Sequence, residues 1–128
     1  MTFGPYPITV TRVVDGDTLV VDIDCGFHVV LWAQYVRLTG INTPEVRGPS
    51  REEGLRAKAM VETFLADAGP LVLISDHYDE REKYGRILGR IIARETGDSL
   101  NDFLADQGWA SPTRGFNRDG ERLPRLGG

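Results

Sequence analysis

Two alternating apolar runs hinged on Asp15-Gly16-Asp17 constrain the fold of this chain more than any other feature. Ile8, Val10 and Val14 alternate with Thr9 and Thr11, and after the hinge Leu19, Val21 and Ile23 repeat the period. A period of two marks strands with one buried face. An Asp-Gly step between two such runs marks a hairpin turn. Ile8–Val14 and Thr18–Ile23 are therefore read as paired strands, with Asp17 held at a fixed edge.

The rest of the chain supplies partners for that hairpin. Asp24–Phe27 makes a turn, and His28–Leu38 is a long run of β-branched and aromatic residues, read as a third strand. Pro44–Pro49 is a loop. Ser50 and Glu53 have capping-box spacing, and Ala57, Met60, Val61, Phe64, Leu65 and Ala68 follow the helical i, i+3, i+4 pattern. Gly69-Pro70 stops that helix. Leu71–Ser75 is a short apolar strand, Asp76–Lys83 a charged and exposed loop, and Arg86–Arg94 a fifth strand. Ser99 and Asp102 predict a cap for a short helix carrying Leu100, Phe103 and Leu104, closed by Gly108.

The order β-β-β-α-β-β-α predicts an α+β, mainly β fold: a five-stranded Greek-key OB barrel with a helix between strands 3 and 4 and a short late helix. The helix is expected to plug one end of the barrel. Residues 1–110 form the expected domain, and 111–128, rich in Gly and Pro, an irregular tail. Trp32 and Trp109 are read as core or barrel-end packing residues.

Composition narrows the function classes. At 128 residues the chain suits one domain with a real core. The single cysteine, Cys25, excludes an internal disulfide framework and a thiolate zinc site. His28 and His77 stand at no catalytic spacing. Residues 1–10 lack the pattern of a secretory leader, and no apolar run approaches the ~20 residues of a membrane span. The expectation is a cytoplasmic monomer with no membrane partner. A net charge of −4 argues against coating nucleic acid broadly, but not against a local site that mixes carboxylates and arginines.

Three segments could carry chemistry: Asp15-Gly16-Asp17-Thr18, Arg37 with Asn42-Thr43-Pro44-Glu45, and Lys83-Tyr84-Gly85-Arg86. Each has a plainer reading, as a hairpin turn, a strand terminator and a solvated loop respectively. Together they offer two guanidinium groups, a lone carboxylate and a set of hard oxygen donors. That combination is what metal-assisted phosphodiester hydrolysis requires.

Taken in order, these segments resemble the staphylococcal nuclease family, and the resemblance runs from about Ile8 to Ala110. It implies the OB barrel and a Ca2+-dependent nuclease acting on DNA and RNA, leaving 3′-phosphate ends. It further implies that Asp17, Asn42 and the Thr43 carbonyl ligate Ca2+, that Glu45 orients or deprotonates the attacking water, and that Arg37 and Arg86 clamp the scissile phosphate. Lys83 and Tyr84 would contact a neighbouring phosphate, with Asp15 as an acid behind the ligands. The family has aspartate where this chain has Asn42, which removes one negative charge and is expected to weaken Ca2+ binding. The alternative is a catalytically silent OB module that binds nucleic acid or a protein partner.

Overall fold

The computed structural model describes residues 2–76 and 86–111. Five strands, β1 (Phe3–Asp15), β2 (Thr18–Asp24), β3 (Val30–Leu38), β4 (Leu71–Ser75) and β5 (Ile87–Ala93), close a barrel in the order β1-β2-β3-β5-β4. All neighbours are antiparallel except β3 and β5. That one parallel contact requires a long crossover, and helix α1 (Arg51–Ala68) with β4 supplies it. The expected order of elements and the barrel are both present.

The barrel fills from the alternate residues of its strands. Leu19, Val21 and Ile23 of β2, Val36 and Leu38 of β3, Leu73 of β4 and Ile91 of β5 form one buried cluster. α1 buries Gly54, Ala57 and Val61, and Val61 joins the cluster. Spacings of three and four put these residues on one stripe. Gly69 ends α1 at φ 66, a left-handed value that suits glycine. The short helix α2 (Leu100–Leu104) adds Leu100 and Leu104 to the core. Its cap is the predicted one, the Ser99 side chain accepting from the Asp102 amide at 3.2 Å. A wider turn, Ala105–Trp109, continues it, with Gly108 at φ 97.

Several expectations need correction. β1 begins at Phe3 rather than Ile8, because its first half pairs with β4 (Tyr6 opposite Leu73, Pro7 opposite Val72) before its second half pairs with β2. β3 begins at Val30 rather than His28; Phe27 and His28 sit at φ 55 and 63, in the turn. The strand expected over Arg86–Arg94 is one residue shorter at each end. Ser50 does precede α1, but no capping box forms. A short 3-10 turn, Gly48–Ser50, leads into the helix, and the Ser50 hydroxyl points back to the carbonyls of Glu45 and Arg47. Trp32 is 69% exposed and belongs to no core, whereas Trp109 packs on the core as expected, its indole N–H donating to Met60 Sδ at 3.4 Å. The loop expected over Asp76–Lys83 and the tail after residue 111 fall mostly or wholly outside the described residues.

One polar side chain is sealed inside. Asn101 of α2 donates through Nδ2 to the carbonyls of Thr39 (2.9 Å) and Gly89 (3.2 Å) and accepts at Oδ1 from the Ile91 amide (3.2 Å). It thus ties the end of β3 to β5. Replacing Asn101 by leucine would leave those backbone groups without this partner, at ~1–3 kcal/mol for each buried group left unmade. The expected result is a loss of about 3 kcal/mol in urea-unfolding stability. An unchanged midpoint would show that the amide is dispensable.

Candidate functional site

The β2–β3 register assembles the centre of the site. Thr18 lies opposite Arg37, and the Leu38 amide donates to the Asp17 carbonyl at 2.9 Å. Asp17 is thereby set beside the end of β3. Its Oδ2 receives Arg37 Nη1 at 2.9 Å and the Thr43 amide at 3.1 Å, while Oδ1 accepts from the Thr18 hydroxyl at 3.0 Å. Arg37 Nη1 also donates to the Ile41 carbonyl at 2.7 Å. A carboxylate drawn this far out of water must be paired, and stripping Arg37 from it would cost about 3 kcal/mol or more. All of these Arg37 contacts run through Nη1. Among the described residues, the Nε–Nη2 edge of its fork has no bond.

Two glycines let their neighbours close in, side chains at Gly16 and backbone at Gly54. A Cβ on Gly16 would lie 2.9 Å from Thr43 Oγ1 and 2.8 Å from Ala57 Cβ. Thr43 is buried, and its Oγ1 has no hydrogen-bond partner among the described residues. A Cβ on Gly54 would collide with the Glu45 carbonyl and lie 2.8 Å from the Val46 amide. The first turn of α1 therefore rests directly on the backbone of Glu45.

Glu45 is held by its main chain and exposed by its side chain. Its carbonyl accepts from the Ser50 hydroxyl at 3.2 Å, and the next amide, Val46, donates to Asp15 Oδ1 at 3.2 Å. Asp15 thus fastens the loop that carries Glu45 to the β1–β2 turn. Asn42 is exposed, and its amide donates to the Trp109 carbonyl at 2.9 Å. Arg86 immediately precedes β5. Because Val36 pairs with Ile87 and Arg37 with Leu88, standard sheet spacings put the Cα atoms of Arg37 and Arg86 about 8 Å apart.

Of the residues singled out in the sequence, Asp17, Arg37 and Thr43 meet through hydrogen bonds, Asp15 and Glu45 share one loop attachment, and register brings Arg86 alongside. Asn42 enters the loop without a side-chain bond to them among the described residues. Lys83 and Tyr84 lie outside the described residues. No group of three His, Cys, Asp or Glu side chains able to hold a metal occurs among the described residues. Sequence reasoning missed Gly54 and Asn101. A glycine inside a helical pattern costs ~1 kcal/mol against alanine, and that was the available signal for Gly54. Asn101 gave no comparable signal, because only tertiary structure shows that its position is sealed.

The barrel and this cluster define a member of the staphylococcal nuclease homologue family, whose profile matches residues 35–126; the chain belongs to that family. It is 33% identical to an uncharacterized endonuclease of Escherichia coli, over 86% of this chain and 63% of that protein. It is 28% identical to endonuclease YhcR of Bacillus subtilis, over 84% of this chain but 9% of that protein. A third relative, an uncharacterized protein of Methanocaldococcus jannaschii, is 26% identical over 78% of this chain and 55% of its own length. The chain thus spans less than two thirds of each of these relatives. No described helix is long and apolar enough to cross a membrane.

Gly54→Ala should raise helix propensity by ~1 kcal/mol, yet the collision with the Glu45 carbonyl predicts the opposite sign. We expect a lower melting temperature and a shifted Glu45 loop. A higher melting temperature would show that the loop yields freely.

Proposed function

We propose that this chain is a nuclease that hydrolyses phosphodiester bonds of DNA or RNA by in-line attack of a water, assisted by a divalent cation, with Ca2+ the first candidate. The observation that carries this reading is the Asp17–Arg37–Thr43 knot, with Asp17 and Thr43 buried and Arg37 half-buried, and an exposed Glu45 on the loop attached beside it, in a chain of this family. The names of two relatives, both endonucleases, point the same way.

The donors near Asp17 suit a hard cation in kind. Asp17 offers a carboxylate, Asn42 an amide carbonyl and Thr43 its carbonyl, with Thr43 Oγ1, which has no partner among the described residues, a further oxygen nearby. Oxygen donors of this type are those Ca2+ accepts. With one carboxylate among them, the charge count is low and weak affinity follows. A bound cation would polarise the phosphoryl oxygens and lower the pKa of water.

The remaining steps fall to the chain's own side chains. Glu45 stands in solvent at a fixed backbone position and would orient the attacking water and accept its proton. Arg37 presents the open edge of its fork to phosphate oxygens while Asp17 and Ile41 hold Nη1. Arg86, just before the adjacent strand β5, would contact the same phosphate, and planar guanidinium groups match its oxygens in a way that lysine does not. Lys83 and Tyr84 would hold a neighbouring phosphate. Asp15 keeps the Glu45 loop in place. Breaking the P–O5′ bond would leave the phosphate on the 3′ oxygen and release the 5′ oxygen, protonated from solvent, as a hydroxyl.

A second reading, a silent module that binds nucleic acid without cutting it, draws on Asn42 and on the commitment of Asp17 to Arg37. Cleavage of single-stranded and duplex DNA and of RNA, with Ca2+, Mg2+, Mn2+ or chelator, decides between the two. Glu45→Gln and Arg86→Ala should each lower kcat by at least ~10². Arg37→Lys keeps a cation for Asp17 but loses the fork, and should fall in the same direction. Turnover near wild type in all three would sink the mechanism. Asn42→Asp should lower the Ca2+ concentration needed for half-maximal cleavage; if instead it is the first form to cut at all, the silent reading holds for the natural chain.

A further inference from the structure

The outer face of β3 carries features that the cleavage site leaves unexplained. Tyr35, two residues before Arg37, lies on the same face and is 44% exposed. Register sets Arg12 beside Val20, and Val20 beside Tyr35, across three strands. Arg12 Nη2 donates to the Tyr35 hydroxyl at 2.8 Å, and its guanidinium carbon lies 5.9 Å from the ring centroid.

Further along, β3 departs from regular pairing. Val21 faces Gln34 and Ile23 faces Leu31, so two residues, Trp32 and Ala33, oppose the single Asp22. This is a bulge. Ala33 sits at φ 54, unfavourable for a residue with a Cβ, and is held there by its amide donating to Asp22 Oδ1 at 2.8 Å. Gln34 Nε2 donates to the Trp32 carbonyl at 2.8 Å. The bulge resets the alternation of the strand. Trp32, which a regular strand would have packed, instead joins Tyr35 and Arg37 on the outer face.

We infer that Trp32 and Tyr35 form a stacking platform for the bases of single-stranded nucleic acid, leading away from the phosphate position at Arg37. The inference rests on the nuclease reading for the placement of that phosphate. A strained backbone maintained by dedicated hydrogen bonds, with an indole exposed at its tip, gives the core nothing; it presents a flat apolar surface. Aromatic groups beside cations are the recognition chemistry of single strands, where bases stack and arginines meet the backbone. Arg12, Arg37 and Arg86 supply the charge, while the two acids at the far end of β2, Asp22 and Asp24, each accept a backbone amide, from Ala33 and Gly26. The platform is continuous with the proposed clamp. A duplex keeps its base faces stacked inside and has nothing to offer the indole.

The test is fluorescence anisotropy with labelled oligothymidylate and oligouridylate of about 12 nucleotides, within the site sizes of single-strand binders, and with a duplex of the same length. Binding is measured in chelator so that nothing is cut. Trp32→Ala and Tyr35→Ala should each weaken single-strand binding about 10-fold, and Trp32→Phe should recover most of it. Circular dichroism of the same variants separates lost contact from lost fold. Single-strand affinity equal to wild type in both alanine variants overturns the inference and leaves the face to a protein partner. A duplex bound as tightly as the single strand, and weakened equally by the variants, also overturns it. Cleavage assays on the same proteins separate this from the nuclease reading. A wild type that never cuts, but loses single-strand binding with Trp32→Ala, keeps the platform and ends the nuclease reading. A wild type that cuts, with binding untouched by either alanine variant, does the reverse.

Discussion

The functional end of this molecule is organised by the desolvation of one carboxylate. Asp17 sits nearly out of water at a hairpin turn, where an unpaired charge would be expensive, and three parts of the chain answer it. The end of β3 sends Arg37, the following loop sends the Thr43 amide, and β2 sends the Thr18 hydroxyl. Arg37 and Thr43 lie on one continuous stretch, about twenty positions or more from Asp17 and Thr18 in sequence. The carboxylate therefore sets where the loop after β3 departs, and hence where Glu45 can be. Asn101 acts on the same loop from behind, binding the Thr39 carbonyl to the β5 backbone. Between the two, the segment from Leu38 to Thr43 is fixed on both sides by buried hydrogen bonds.

What could be read in the sequence was local. The Asp15-Gly16-Asp17 hinge, the stripe Ala57–Val61, the stop at Gly69 and the cap at Ser99 each depend on residues a few positions apart, and all are present. A charge at the end of an apolar strand, as at Arg37, is a local cue for burial and pairing, and Arg37 is paired with Asp17. The misreadings share an opposite cause. Ser50 had the spacing of a cap, but its hydroxyl found the Glu45 and Arg47 carbonyls that the loop brought back to it. Trp32 had the composition of a core residue, but a bulge of one residue changed its face. The early start of β1 depends on β4, more than sixty positions away. Periodicity carries no information about any of these.

The acidic net charge and the proposed anionic substrate are compatible once location is considered. Acids such as Glu52, Glu53, Glu62 and Asp67 occupy the exposed side of α1, and the two in its first turn favour the helix dipole. Arg12, Arg37 and Arg86 come from three barrel strands or their ends; Glu62 shares a groove with Arg12, and Lys58 lines the same groove. At physiological ionic strength charges more than ~8 Å apart are largely screened from one another, so a polyanion near β3 meets the local arginines rather than the average of the molecule.

The contact between Gly54 and the Glu45 carbonyl has a mechanical side. Most joints between a helix and a loop are made by side chains, which absorb small displacements by changing rotamer. Here main chain bears on main chain, with no compliant layer between. A shift of α1 by a fraction of an ångström, from repacking at Val61 or Phe64 in its middle, would pass to Glu45 undiminished. The backbone position from which the exposed carboxylate projects is thus coupled to the barrel core, and repacking of the interior would reach the surface site through main chain alone.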